Sequence, residues 1–288
     1  MKIDIIIPVR NQPERLLCCL KSLIPQAEYI NNIIIVDNGS KVIVENLIKA
    51  EIQEECIKVV RTEKIGRSHA RNTGIIHSTS EYILFLDGDR VVKNGSLKAV
   101  DQAISKYRDG IFIASIYETF LNEKEILNLY KKDGNISEQI HKIRIYSYYK
   151  FICRGFRNNV CFLKNPWIAT FSGSMCISRK ALTESGFFDE DFSQWGLENF
   201  ELGYRLCNKG YCKYFILPGF ETIHLAHKRE KNMYRDGIKS GIEIFLKKHR
   251  DLRIIELKKM LEGDITLAEF DGTLDVRLNC YYKAFSLD

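Results

Sequence analysis

Four short apolar runs, each closing on polar residues, constrain this chain more than any other feature. Ile3–Val9 is broken only by Asp4 and is closed by Pro8 and Arg10. Ile33–Val36 leads into the turn Asp37-Asn38-Gly39-Ser40, Ile57–Val60 is a shorter run, and Tyr82–Leu86 ends in Asp87-Gly88-Asp89. Helical patterns lie between them: Pro13–Leu23, with Leu16, Leu17, Leu20 and Leu23 on one face, then Lys41–Ala50 and Ser68–Ser78. Continuous apolar strands alternating with helices predict an α/β chain with a parallel sheet covered on both faces. Ligands of open α/β sheets sit beyond the carboxyl ends of the strands. Arg10, Asp37 and the Asp87–Asp89 triplet all follow strand ends, so they converge on one edge.

The second half is less regular. Leu97–Arg108 reads as a helix, Ile111–Ile116 as a strand, Ala169–Ser178 as a strand pair or strand-loop, and Lys180–Ser185 as a short helix. Trp195–Asn208 has helical spacing, and Tyr211–Leu217 reads as a strand ending at Pro218. A helical pattern begins at Lys231. With no repeat and no Gly/Ser linker, one domain with a helical tail is the economical organisation.

Charge and cysteine usage exclude several classes. The formal net charge is +6, but residues 124–164 alone hold nine Lys/Arg against three Asp/Glu, which accounts for the whole excess. A local basic segment argues against a general nucleic-acid binder. It also carries Tyr130, Tyr146, Tyr148, Tyr149, Phe151, Phe156 and Phe162. One reading is an acceptor-binding lobe or a patch touching anionic lipid. The other is an insertion whose aromatics pack on the sheet while its lysines are solvated. Nine cysteines with no CxxC pair leave a zinc ribbon unsupported and point to reduced thiols. Asp4 and Arg10 break any signal-peptide pattern, and no apolar stretch reaches the length of a membrane span. The expectation is a cytoplasmic protein, at most peripheral at the inner membrane face.

Four local features carry chemistry. Asp87 and Asp89 flank Gly88 after a buried strand, a spacing that suits a hard divalent cation with close ligand approach, or equally a self-capped Asp-Gly turn. The segment Phe171-Ser172-Gly173-Ser174 precedes Gly186-Phe187-Phe188-Asp189-Glu190. Glu198, beside Trp195 and Gly196 at a helix start, has the setting of a partly desolvated general base. Glu201 and Arg205, four apart, read as a surface helix ion pair. His224 and His227 lie three apart before Lys228 and Arg229, and either imidazole suits a metal site begun by Asp89.

Taken in order, these segments resemble family 2 glycosyltransferases with the GT-A fold. The matching signatures are Ile6-Ile7-Pro8-Val9-Arg10-Asn11, Ile34-Ile35-Val36-Asp37-Asn38-Gly39-Ser40, Gly66-Arg67-Ser68-His69-Ala70-Arg71-Asn72-Thr73-Gly74 and Phe85-Leu86-Asp87-Gly88-Asp89. Gly186–Phe192 with Trp195–Leu202 resembles the C-terminal half of galactosyl- and N-acetylgalactosaminyltransferases. The resemblance runs from about Lys2 to His227 and fades over 118–165. It implies a GT-A domain over 1–230, with 118–165 as a variable acceptor-side insertion, and a mainly helical extension over 231–288.

The resemblance also implies roles. Pro8, Val9 and Arg10 would line the nucleotide base, with Asp37 accepting from uracil and Arg71 facing the nucleotide. Asp87 and Gly88 would border ribose or metal. Asp89 would bind Mn2+ or Mg2+ with His227, His224 being the rival. Lys228 and Arg229 would contact the diphosphate, while Ser172, Gly173, Trp195 and Asn199 would border the sugar and acceptor. Inverting members carry Glu-Asp where this chain has Glu198-Asn199, and an amide takes no proton. Either Glu198 is the base, giving inversion, or the chain follows a retaining Glu-Asn pattern; the N-terminal match leans to inversion. The implied function is transfer of a hexose or N-acetylhexosamine from a UDP-sugar to a glycan, lipid-linked sugar or peptide acceptor, with no nucleic-acid partner. The alternatives are a non-catalytic glycan-binding protein on the same fold and a sugar-nucleotide nucleotidyltransferase. The latter lacks its glycine-rich N-terminal loop with a following Lys here.

Overall fold

In a computed structural model of the chain, which describes residues 1–132, 134–193, 196–227 and 233–282, the apolar runs become neighbouring strands of one sheet. The strands are β1 (Ile3–Val9), β2 (Ile30–Asn38), β3 (Ile57–Thr62), β4 (Tyr82–Leu86), β5 (Arg90–Val92), β6 (Ile111–Phe120), β7 (Arg144–Ile145), β8 (Phe156–Arg157), β9 (Val160–Cys161), β10 (Ser174–Ser178) and β11 (Tyr214–Ala226). Their order is β3-β2-β1-β4-β10-β6-β11-β9-β8, with β5 on β11 and β7 on β6. β3, β2, β1 and β4 are mutually parallel, as are β6 and β11. β10 enters between the two parallel groups and runs antiparallel to both β4 and β6. The result is a mixed α/β fold with a mostly parallel central sheet flanked by helices.

Local chemistry explains the elements that position the site. Helix α1 (Pro13–Leu23) starts with Pro at its first turn and buries Leu16, Leu20 and Leu23, on its apolar stripe, against the sheet. Helices α2 (Val44–Glu51), α3 (Arg67–His77) and α4 (Ser96–Lys106) complete the alternation. Asp4, the one polar break in β1, is fully buried and is an anchor. Its Oδ1 accepts from Asn31 and Asn32, and its Oδ2 accepts from Ser78 Oγ and from the Thr79 and Ser80 N–H groups at 2.6–2.8 Å. Although burial pushes its carboxyl up, these donors win and hold it down at about 2.

Three expectations are corrected. The strand beginning near Tyr211 does not end at Pro218: β11 continues to Ala226 and carries His224 inside it. A register shift between Ile216 and Glu221, with Gly219 at φ +85°, absorbs the proline as a bulge. The helix read from Trp195 begins at Glu198, because Gly196 (φ +119°) and Leu197 (φ +66°) form a left-handed turn before α8. Helices α5 (Glu123–Lys131), α6 (Ser147–Ile152) and α7 (Arg179–Ser185) precede α8 (Glu198–Asn208). Glu201 and Arg205 are no surface pair: Glu201 is 1% exposed and binds Arg205 through both oxygens and His249 Nε2 at 2.7 Å. Arg205 also donates to the carbonyls of Ser185, Gly186 and Phe187, tying the end of α7 to α8.

The helices that follow, α9 (Met233–His249), α10 (Leu252–Glu262) and α11 (Leu267–Asp271), share the main core. Ile238, Phe245, Leu257 and Leu267 belong to the same buried cluster as Phe85, Trp167 and Leu202. In the basic segment Tyr148, Tyr149 and Phe151 are buried in the core while the lysines and arginines of 124–164 are exposed. Tyr130, Tyr146, Phe156 and Phe162 are half-buried, so the segment packs part of its aromatic surface and leaves its charges in solvent. All nine cysteines are free thiols. Among the described residues, no helix is long and apolar enough to cross a membrane.

Candidate active site

The carboxyl ends of β1, β2 and β4 gather the polar residues on one sheet edge. At the end of β1, Pro8 is half-buried and Val9 is buried, and Arg10 just after it is exposed. Asp37, at the end of β2, is 1% exposed. It accepts from the Ser40 N–H at 2.9 Å and from Arg61 Nη1 at 2.8 Å, which shapes the 37–40 turn. Asn11, at φ +56°, accepts from the Lys41 N–H and donates its own N–H to Ser40 Oγ, joining the β1 and β2 ends. Gly88 packs between Ile7, Pro8 and Val9, so the triplet lies directly against β1.

Arg71 on α3 is the hinge of the site. It is 2% exposed, and its Nη2 donates to Asp87 Oδ1 at 3.0 Å while its Nη1 donates to Glu198 Oε1 at 3.2 Å. Its guanidinium also lies over the Phe188 ring at 5.3 Å. Burial pushes the Asp87 carboxyl up, but the positive charges of Arg71, Arg90 and Arg67 together hold it below the usual range. Glu198 Oε2 accepts from the Gly196 N–H at 3.1 Å, so the left-handed turn before α8 fixes the carboxylate. Asn199 donates to the Thr170 carbonyl, tying the helix start to the segment before β10. Ser172 is buried, and the Gly173 carbonyl accepts from the Asp87 N–H at 3.0 Å.

Asp89, 7% exposed, faces two imidazoles. Its Oδ2 lies 3.3 Å from His224 Nε2 and 3.5 Å from His227 Nε2. One ligand atom from each of the three residues falls within 4.8 Å of the others. A carboxylate oxygen with two imidazole nitrogens suits a first-row divalent ion, so the residues fit the group the fold implies. Burial pushes Asp89 up, but the facing His224 holds it well below the usual range. The same contact holds His224 above its ordinary value against the opposing effect of burial. Behind His224 Nδ1, Glu118 Oε2 lies at 3.9 Å, and Glu118 Oε1 accepts from Arg144 at 2.8 Å. Gln12 Nε2 lies 2.8 Å from His227 Nε2.

The edge therefore brings together Asp37, Arg71, Asp87, Gly88, Asp89, Gly173, Glu198, His224 and His227. Trp195, Lys228 and Arg229 lie outside the described residues. Gln12, Glu118 and Arg90 were not read from sequence. Gln12 and Glu118 carry no motif, because cross-strand register and helix docking bring them in. Arg90 stands beside the Asp87–Asp89 triplet and could have been found there.

The family model described as glycosyl transferase family 2 matches residues 4–186. Chondroitin synthase of Escherichia coli is 27% identical over 244 residues, covering 80% of this chain and 35% of that protein. Hyaluronan synthase of Pasteurella multocida is 26% identical over 236 residues, covering 72% of this chain and 23% of that protein. The chain thus spans about a quarter to a third of these relatives' length. The crystal structure of GalNAc-T7 with UDP, GalNAc and Mn2+ superposes with a TM-score of 0.60 at 18% identity, covering 89% of this chain and 48% of that one. This likeness establishes the GT-A fold.

Proposed function

The chain belongs to glycosyl transferase family 2, and from that premise we propose that it moves a hexose or N-acetylhexosamine from a UDP-sugar to a hydroxyl group of an acceptor, using Mn2+ or Mg2+. The observation that carries the reading is the continuous site edge: Asp89 with His224 and His227, joined through Asp87 and Arg71 to Glu198. The UDP and Mn2+ named with the GalNAc-T7 structure favour the donor and the metal. The names of the chondroitin and hyaluronan synthases favour a glycan acceptor.

Each residue has a task in this reading. Asp37, with its carboxylate set by Ser40 and Arg61, receives the uracil edge beside Pro8, Val9 and Arg10. Asp89 with His227, or with His224, would hold the ion, which would supply positive charge to the diphosphate of the donor. Arg71 fixes Asp87 and Glu198 relative to each other, so the donor side and the acceptor side of the site share one anchor. Glu198 is the general base: Arg71 and the Gly196 N–H hold its carboxylate in place, and each oxygen retains acceptor capacity for the acceptor hydroxyl. Asn199, whose amide is engaged by Thr170, takes no proton.

The test is nucleotide release from a panel of UDP-, GDP- and dTDP-sugars with Mn2+. Release of UDP from at least one uridine donor is expected, and Glu198→Gln should abolish transfer while UDP binding survives. Release from non-uridine donors alone overturns the donor assignment. No release from any donor favours a glycan-binding protein, and full turnover by Glu198→Gln removes Glu198 as base.

A further inference from the structure

Arg90 is the charged residue of this edge that no role has yet used. It opens β5, immediately after the Asp87–Asp89 triplet, and its N–H donates to the Asp87 carbonyl at 3.1 Å. In the antiparallel β5–β11 pair it lies opposite His224, so both side chains rise from the same face of the sheet. Its Nε and Nη1 are buried and have no hydrogen-bond partner among the described residues. A buried donor without an acceptor is costly, and a charged one more so. The neighbouring carboxylates, Asp87 with its Oδ1 on Arg71 and Asp89 facing the two histidines, do not hydrogen-bond Arg90 Nε or Nη1.

Gly173 packs against this guanidinium and against Asp87, with no side chain between them. A Cβ at that position would lie 3.2 Å from Arg90 Nε and 2.9 Å from Asp87 Cγ. The guanidinium on β5 and the Asp89 cation site are neighbours, because Arg90 pairs with His224 across the two strands. A diphosphate offers anionic oxygens to both at once. Resting on the UDP-sugar reading, we propose that Arg90 is a donor-binding residue whose guanidinium takes the β-phosphate of the nucleoside diphosphate. The planar fork matches phosphate oxygens, and the charge is best placed where negative charge grows. In the transfer the bond from the sugar's anomeric carbon to the β-phosphate oxygen breaks, and its electron pair stays on that oxygen beside Arg90. The acceptor oxygen bonds the anomeric carbon, and its proton passes to Glu198.

The test is calorimetric titration of UDP and UMP with Mn2+ into the wild type, Arg90→Gln and Arg90→Lys, with thermal melts as the folding control. Arg90→Gln should weaken UDP about tenfold or more, the size of one charge-assisted hydrogen bond, and leave UMP within about threefold. Arg90→Lys should fall between. An unchanged UDP-to-UMP affinity ratio in Arg90→Gln, whether both affinities hold or both fall together, overturns the proposal. If Arg90→Gln does not fold, the same ratio in a folded Arg90→Lys decides it. A wild type that binds GDP but not UDP refutes the uridine reading alone, and GDP against GMP then tests Arg90. A wild type that binds no nucleoside diphosphate overturns both.

Discussion

Gly173→Ala adds one methyl group at the narrowest point of the site. Its Cβ would stand 2.9 Å from Asp87 Cγ, with Asp87 Oδ2 nearer still, where ordinary contact begins at 3.4 Å. Both neighbours are constrained, since the Gly173 carbonyl accepts from the Asp87 N–H and Asp87 Oδ1 accepts from Arg71 at 3.0 Å. Relief requires the carboxylate to move by about 1 Å, which takes it out of hydrogen-bond range of Arg71. Arg71 also holds Glu198, so both sides of the site loosen. The overpacking cost is about 1–3 kcal/mol. A misplacement of about 1 Å at a reacting centre costs about a hundredfold in turnover. Initial rates of UDP release on the preferred donor, paired with a thermal melt, measure both effects. A kcat/KM within threefold of wild type with an unchanged melt would refute the claim that Asp87 must be held against Arg71.

Two further perturbations probe the framework and the cation site. Asp4→Asn turns an amide N–H toward donors that Asp4 now satisfies. The Asp4 carboxyl falls from its ordinary 3.8 to about 2 on folding, which contributes about 2 kcal/mol at neutral pH. Because the folded value is depressed, this stability is present above about pH 4 and is lost as pH falls toward 2. Other depressed carboxylates share that acid limb, so urea unfolding should show it shallower in Asp4→Asn than in the wild type, and identical profiles would count against the anchor. Glu118→Gln removes the carboxylate behind His224 and should weaken Mn2+ binding about tenfold, measured by the signal of free Mn2+ in electron paramagnetic resonance. An unchanged affinity would leave His227 as the only histidine ligand to the ion.

How far the sequence reading reached depended on the range of the interactions involved. β1, α1 and β4 run between the residues expected, because apolar runs and the spacing of Leu16, Leu20 and Leu23 are local signals. The ends of β2 and β4 place Asp37, Asp87 and Asp89 without further information. β5 and the antiparallel β10 were not distinguished, since a three-residue strand and a strand direction are set by partners far along the chain. Pro218 misled because a bulge let β11 pass it. Arg205 looked solvent-facing because the carbonyls of α7 and His249 of α9, which bury its ion pair, are brought there only by packing. Glu118 was hidden for the same reason: one strand residue gains meaning only when β6 pairs in register with β11 at His224.

The account turns on the cation held by Asp89 and its histidines, and chelation tests it most directly. UDP release from the preferred donor should fall to background in EDTA and return on titration with Mn2+, with Asp89→Asn needing far more Mn2+ for the same recovery. Turnover that persists unchanged in EDTA, with no response to added Mn2+, would contradict the assignment of Asp89, His224 and His227 as a metal site.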